Sequence, residues 1–185
     1  MTSLVILGIV AAVILYGIAI YNRLVRNRQM VREGWSGIDV QLKKRANLIP
    51  NLVAAVKGYM KHERGLLEKI TELRAKAQGM DAATPAERSA VEQEISRVLG
   101  QINVAVENYP DLKASGNVLE LQQQLAQIEH DIQMARRYYN GAVRENNVLV
   151  ESFPSNLIAN FFHFEKAEYF ELENPADRAV PTVEL

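Results

Sequence analysis

The sequence predicts an all-α protein, in which an N-terminal transmembrane helix continues into an elongated antiparallel up-and-down helical bundle. Three observations predict it. The first 22 residues carry no charged side chain, and Leu4 to Tyr21 is an unbroken run of 18 apolar or glycine residues. Beyond that run, apolar residues recur at alternating steps of three and four, the repeat of a helix with one buried stripe. No segment sustains the every-second-residue alternation of a strand.

The apolar run is long enough for a hydrocarbon core of roughly 30 Å at about 1.5 Å per residue. A cleaved signal peptide fits less well: no basic side chain precedes the run, and Ile18-Ala19-Ile20-Tyr21-Asn22 is a poor cleavage site. Residues 1–22 therefore read as a retained anchor. Arg23, Arg26, Arg28 and Arg32 follow directly, with Lys43, Lys44 and Arg45 beyond them. By the positive-inside rule, this places the chain after the anchor in the cytoplasm and the short amino end outside. The net charge of −1 hides a polarity, because residues 23–45 hold seven basic and two acidic side chains and residues 151–185 hold two basic and seven acidic ones. Arg23, Arg26, Arg28 and Arg32 are candidates for contact with membrane lipid, at about 1 kcal/mol per headgroup contact. Ordinary solvated surface explains the same charges. The basic cluster is short and lacks interleaved aromatics, so no nucleic-acid partner is expected.

Each element has its own signal. The first helix runs on from the anchor to about residue 45, with Val31, Trp35, Ile38 and Leu42 as its seam. The second spans about 48–79. Asn47 is its expected cap, and Pro50 is tolerated in a first turn whose amides lack partners. Its seam is Ile49, Leu52, Val56, Tyr59, Glu63, Leu66, Ile70, Leu73 and Ala77. The third, about 85–108, opens on Thr84-Pro85-Ala86-Glu87, with a capping threonine, a first-position proline and a capping-box glutamate. Its stripe is Val91, Ile95, Val98, Ile102 and Ala105. Tyr109 to Gly116 is a turn. The fourth helix, about 118–152, is capped by Asn117, and its seam includes Val118, Leu125, Ile132, Tyr139, Ala142, Asn146 and Leu149. Pro154 stops it, and Ser155 caps a short helix through Phe162. The bundle thus occupies residues 23–172, and 173–185 form an acidic tail with no seam.

The motifs of catalysis are missing. No histidine lies three residues after a glutamate, as di-metal bundles require, and His62-Glu63 lacks the second histidine of a zinc-protease motif. Cysteine is absent and no phosphate-cradling glycine loop occurs. Neither enzyme activity nor a cofactor is expected. The polar residues on the seams carry the remaining interest. Glu63 and Asn146, with Tyr59 and Tyr139 as partners, can set helix register at a cost in stability; a ligand-binding seam is the alternative. Phe153, Phe161, Phe162, Phe164, Tyr169 and Phe170 either cover one end of the bundle or form a patch for a second subunit, a partner or the headgroup layer.

The segments YNRLV at 21–25, KKRANLIPNLV at 43–53, VKGYMKHE at 56–63, ARRYYNGAVRENN at 135–147 and FPSNLIANFFHFEKAEYFE at 153–171 resemble the LemA family of bacterial membrane proteins. They match in order and spacing over about residues 20–173. The resemblance implies a membrane anchor followed by an antiparallel bundle, with no enzymatic activity established. It implies a bacterial inner-membrane location and a role in envelope maintenance. The expected function is a non-catalytic scaffold that self-associates into a homo-oligomer, Gly8 and Ala12 offering a small-xxx-small pair in the anchor. The alternative is a signalling or tethering module that binds a membrane protein partner.

Overall fold

The computed structural model describes residues 1–80 and 82–170, so the acidic tail at 173–185 lies outside the described residues. Among these residues the secondary structure is helical, with no strand. The helices are α1 (Thr2–Val56), α2 (Arg64–Gln78), α3 (Pro85–Val106), α4 (Pro110–Lys113), α5 (Gly116–Glu151) and α6 (Ser155–Phe161). The chain divides into two compact units. One is Met1–Val40 with Ile132–Tyr169, and the other is Gln41–Asp131 with Phe170.

In the unit built on Gln41–Asp131, the end of α1, α2, α3, α4 and the start of α5 share one core. Ile49, Leu52, Val56, Ile70, Leu73, Val91, Ile95, Val98, Ile102, Val118 and Leu125 are all buried in it. Thr84 accepts a hydrogen bond from the Glu87 amide while the Glu87 carboxylate accepts one from the Thr84 amide, closing the expected capping box.

The expected break near residue 46 does not occur. α1 continues through Pro50 to Val56. Proline removes the donor that would bond the carbonyl four residues earlier. That carbonyl belongs to Ala46, and Arg74 Nε of α2 donates to it at 2.8 Å. A side chain from the next helix thus replaces the missing backbone donor, and the helix stays intact.

The chain turns instead at residues 57–63. The turn resets the apolar phase, so Met60 is buried and Tyr59, the expected seam residue, is 53% exposed. Leu67 is buried, whereas Leu66 is only partly so. Glu63 occupies the N-cap position of α2 rather than a seam, and its side chain makes no capping bond. Three smaller expectations also change. The turn after α3 contains α4, Asn117 lies inside α5, and Pro154 rather than Ser155 sits at the cap of α6. The Ser155 hydroxyl, inside the first turn, donates to the Ser152 carbonyl.

In the unit built on Met1–Val40 and Ile132–Tyr169, α1 meets the second half of α5. Gly34 permits the approach: a Cβ there would lie 3.0 Å from the Tyr139 Cα. The Trp35 and Tyr139 rings meet beside it at a 55° tilt, centroids 5.7 Å apart. Leu24, Leu149, Ala159 and Phe164 form a second core with Ile20, Tyr21 and Ile158 against it.

The Pro50 repair is testable by a double-mutant cycle. Arg74→Ala is expected to cost about 1–2 kcal/mol in urea unfolding, the worth of a charge-assisted hydrogen bond to an otherwise orphaned carbonyl. In a Pro50→Ala background the backbone amide returns, and the same substitution should cost less than half as much. Equal costs in the two backgrounds would refute the repair.

Candidate functional site

Two polar centres stand out, one in each unit, and sequence reasoning found only part of one. The first surrounds Arg45, which is 1% exposed. Its Nη2 donates to Glu92 Oε2 at 2.6 Å and to the Glu92 carbonyl at 3.1 Å. Its Nη1 donates to Ser96 Oγ at 2.6 Å and to a Glu129 carboxylate oxygen. Arg88 Nε closes the group, donating to Glu92 Oε1 at 2.8 Å. Two guanidinium groups and two carboxylates therefore neutralise one another, and every helix supplying them is held by a charged hydrogen bond. The arrangement is a lock between α1, α3 and α5. Its charges are spent on each other.

The sequence places Arg45 in the basic run after the anchor, whereas in the structure it is buried among helices. On the continuous helix, Ile38, Leu42, Arg45, Ile49, Leu52 and Val56 form one unbroken seam. The expected break at residue 46 concealed this. Arg88 and Glu92 carried a second signal, since they lie one turn apart beside the Val91–Ile95 stripe.

The second centre is a clamp on the segment after α6. His163, with φ of 54°, takes a left-handed conformation there. Phe164 N donates to the Ala159 carbonyl at 2.9 Å and His163 N to that of Asn160 at 3.3 Å. This paired closure, with Phe164 packed near Ala159, is a Schellman-type helix end that reverses the chain. The returning segment has no strand beside it to satisfy its backbone. Side chains of α5 do so instead. Asn147 accepts from the Ala167 amide at 2.8 Å and donates to the Ala167 carbonyl at 2.9 Å, gripping one residue at both ends. Asn146 Nδ2 donates to the Glu165 carbonyl at 3.3 Å, and the Tyr139 hydroxyl donates to that of Glu168 at 2.8 Å.

The seam residues therefore separate. Asn146 and Tyr139, both buried on α5, hold a returning backbone segment. Glu63 accepts from the Tyr109 hydroxyl at 2.5 Å, a bond that raises the Tyr109 pKa. Tyr59 takes no part in the core.

The six aromatics separate as well. Phe164 and Phe170 are buried within the chain, and Phe153, Phe161 and Phe162 are exposed. Tyr169 is partly buried. Arg23, Arg26, Arg28 and Arg32 are all exposed, and the Arg28 guanidinium also lies 4.8 Å above the Phe164 ring. Among the described residues no group of three or more acidic, histidine or cysteine side chains is placed to hold a metal ion.

Among the described residues the secondary structure is helical, and one helix is long and apolar enough to cross a membrane, the features of a membrane-associated helical protein. The LemA family model matches residues 34–185. The chain belongs to the LemA family. Among its relatives, Protein LemA of Metamycoplasma hominis is 27% identical over 166 residues, covering 89% of this chain and 74% of the relative. Magnetosome protein MamQ 2 of Paramagnetospirillum magneticum is 23% identical over 190 residues, covering 89% of this chain and 70% of the relative. Magnetosome protein MamQ of Magnetospirillum gryphiswaldense is 20% identical over 190 residues, with the same shares covered.

Each centre generates a prediction. Arg45→Met leaves two carboxylates without their shared partner and should cost about 3–5 kcal/mol. Arg45→Lys should recover only part of this, because an ammonium lacks the guanidinium fork; urea midpoints of the three proteins decide it. At the clamp, burial and then the Glu168 carboxylate push the Tyr139 hydroxyl up to about 12. An unfolded tyrosine titrates near 10, so the raised value contributes stability below about pH 10 that is lost as pH rises through about 12. Between those limits the wild-type chain should lose more stability than Tyr139→Phe, whose unfolding midpoint should fall less steeply.

Proposed function

We propose that this protein is a membrane-anchored, non-catalytic scaffold of the bacterial inner membrane that self-associates into a homo-oligomer. The supporting observation is a second stripe on α5, on the surface rather than in the core. Met134, Tyr138 and Val148 are exposed along it. Gly141 lies between them with open space where a Cβ would stand. The steps from 134 through 138, 141 and 145 to 148 alternate four and three, the spacing of a helix that seats another helix. A second copy is the occupant we favour. Copies anchored by the same span present this stripe at the same height above one bilayer, and confinement raises their effective concentration. Gly8 and Ala12, exposed on the span, allow close approach at lipid depth. The four arginines after the span favour a cytoplasmic position for the rest of the chain. The non-catalytic reading draws on the Arg45 centre, whose charges are paired with one another.

One observation favours a tethering module instead. Val53, Met60 and Leu67 line a groove of about 770 Å³ whose rim carries Lys57, Lys61 and Arg64. Its apolar floor and mainly basic rim suit an acidic amphipathic helix from a partner protein.

Light scattering of the detergent-solubilised full chain separates the two. The scaffold reading expects a multiple of the 20.8 kDa chain mass, reduced toward one copy by Tyr138→Arg with Val148→Arg. A wild-type chain that sizes as one copy at every concentration overturns the scaffold and favours the tether.

A further inference from the structure

We propose that α6 and the turn before it form a second membrane element, lying in the interface beside the span with one face in lipid. The inference rests on the reading that Leu4–Tyr21 crosses the membrane, and it follows from where α6 is attached. A Cβ at Gly17 would lie 3.8 Å from Ile158 Cδ1 of α6. Gly17 is four residues inside the end of the apolar run, about 6 Å along the helix axis. At the end of the run, the Tyr21 ring lies 4.7 Å from that of Phe162 and 5.7 Å from that of Phe164. Ile20 and Tyr21 also pack on the core that holds Ala159. α6 is therefore held at the depth of the last turns of the span, whichever way the span is oriented.

Its outer face is suited to that depth. Phe153, Leu157 and Phe161 are 79%, 59% and 76% exposed. Leu157 and Phe161 lie four apart on one face of α6, and Phe153 is exposed in the turn before it. Ser155 and Ala159, with the same spacing, are buried toward the protein. A short helix with one apolar face and one packed face lies in the plane of the interface, its aromatics at the boundary of acyl chain and headgroup. Arg23 and Arg26, both exposed just beyond the run, stand where headgroup phosphates lie. Lipid is the occupant the geometry selects, because the stripe adjoins a surface that lipid already surrounds.

The natural chain has no cysteine, so single cysteines can carry a spin label without background. The full chain is reconstituted in vesicles of phosphatidylcholine and phosphatidylglycerol with a label at Leu157→Cys or Phe161→Cys. Leu7→Cys serves as the span control, and Val104→Cys and Leu119→Cys, both exposed, as water controls. Collision with oxygen, which concentrates in lipid, is compared with collision with a water-soluble nickel chelate. The oxygen-to-nickel ratio at 157 and 161 should exceed that of the water controls several-fold and approach that at 7. Nickel-accessible labels at 157 and 161, with an oxygen-accessible label at 7, overturn the proposal while the span reading stands. Labels at 157 and 161 shielded from both reagents mean that protein covers the stripe, and also overturn it. A nickel-accessible label at 7 defeats the span reading, and the proposal with it.

Discussion

A buried arginine must be neutralised, and in residues 41–131 that requirement organises the helices. Removing a guanidinium from water costs several kcal/mol unless nearly all its donors find acceptors. Arg45 finds Glu92, Ser96 and Glu129, which belong to two other helices. The apolar residues above and below it, Leu42 and Ile49, would tolerate a slide by one turn. The guanidinium would not, because its acceptors stand at a single height. Hydrophobic burial supplies the driving force for this unit, and the charge group selects one alignment. Arg74 works on the same principle at a smaller scale, supplying to the Ala46 carbonyl the donor that Pro50 lacks. Arg74 thereby lets α1 run as one helix where Pro50 suggests a stop.

In residues 1–40 and 132–169 the governing problem is backbone rather than charge. The segment after α6 runs beside a helix and has no strand to pair with. Buried amides and carbonyls left unpaired are costly. Asn146, Asn147 and Tyr139 solve this from one side of α5, over little more than two turns. The same reversal brings Phe164 under the Arg28 guanidinium and against Tyr21. This segment, bonded by α5 side chains at Glu165, Ala167 and Glu168, returns past α6, which sits against the end of the apolar run. Asn146 and Asn147 thus serve the chain's own return path, and the aromatics that follow divide into those that close it and those that remain outside.

The helical class, the apolar amino-terminal run and the capping box at Thr84 were legible because each depends on residues near one another in sequence. Spacing of three and four identifies a helix face wherever the helix is unbroken. It fails where phase is reset, as between Val56 and Leu67, because a turn of seven residues can restart the repeat on a different residue. Tyr59 and Met60 exchanged places for that reason. The place of Arg45 on the seam is hidden because proline five residues later suggests a boundary, and the donor that cancels it is 28 residues from the Ala46 carbonyl.

The amino-acid order by itself determined that this chain is helical, carries one lipid-compatible helix and belongs with other LemA proteins, since these follow from local propensity, hydropathy and a matching order of motifs. Only the tertiary structure decided which polar residues are buried together, where α1 ends, and which aromatics face outward. The physical reason is that a hydrogen bond or ion pair joins residues by distance in space. Neither Glu92 nor Glu129 announces in its own neighbourhood that Arg45 will be its partner.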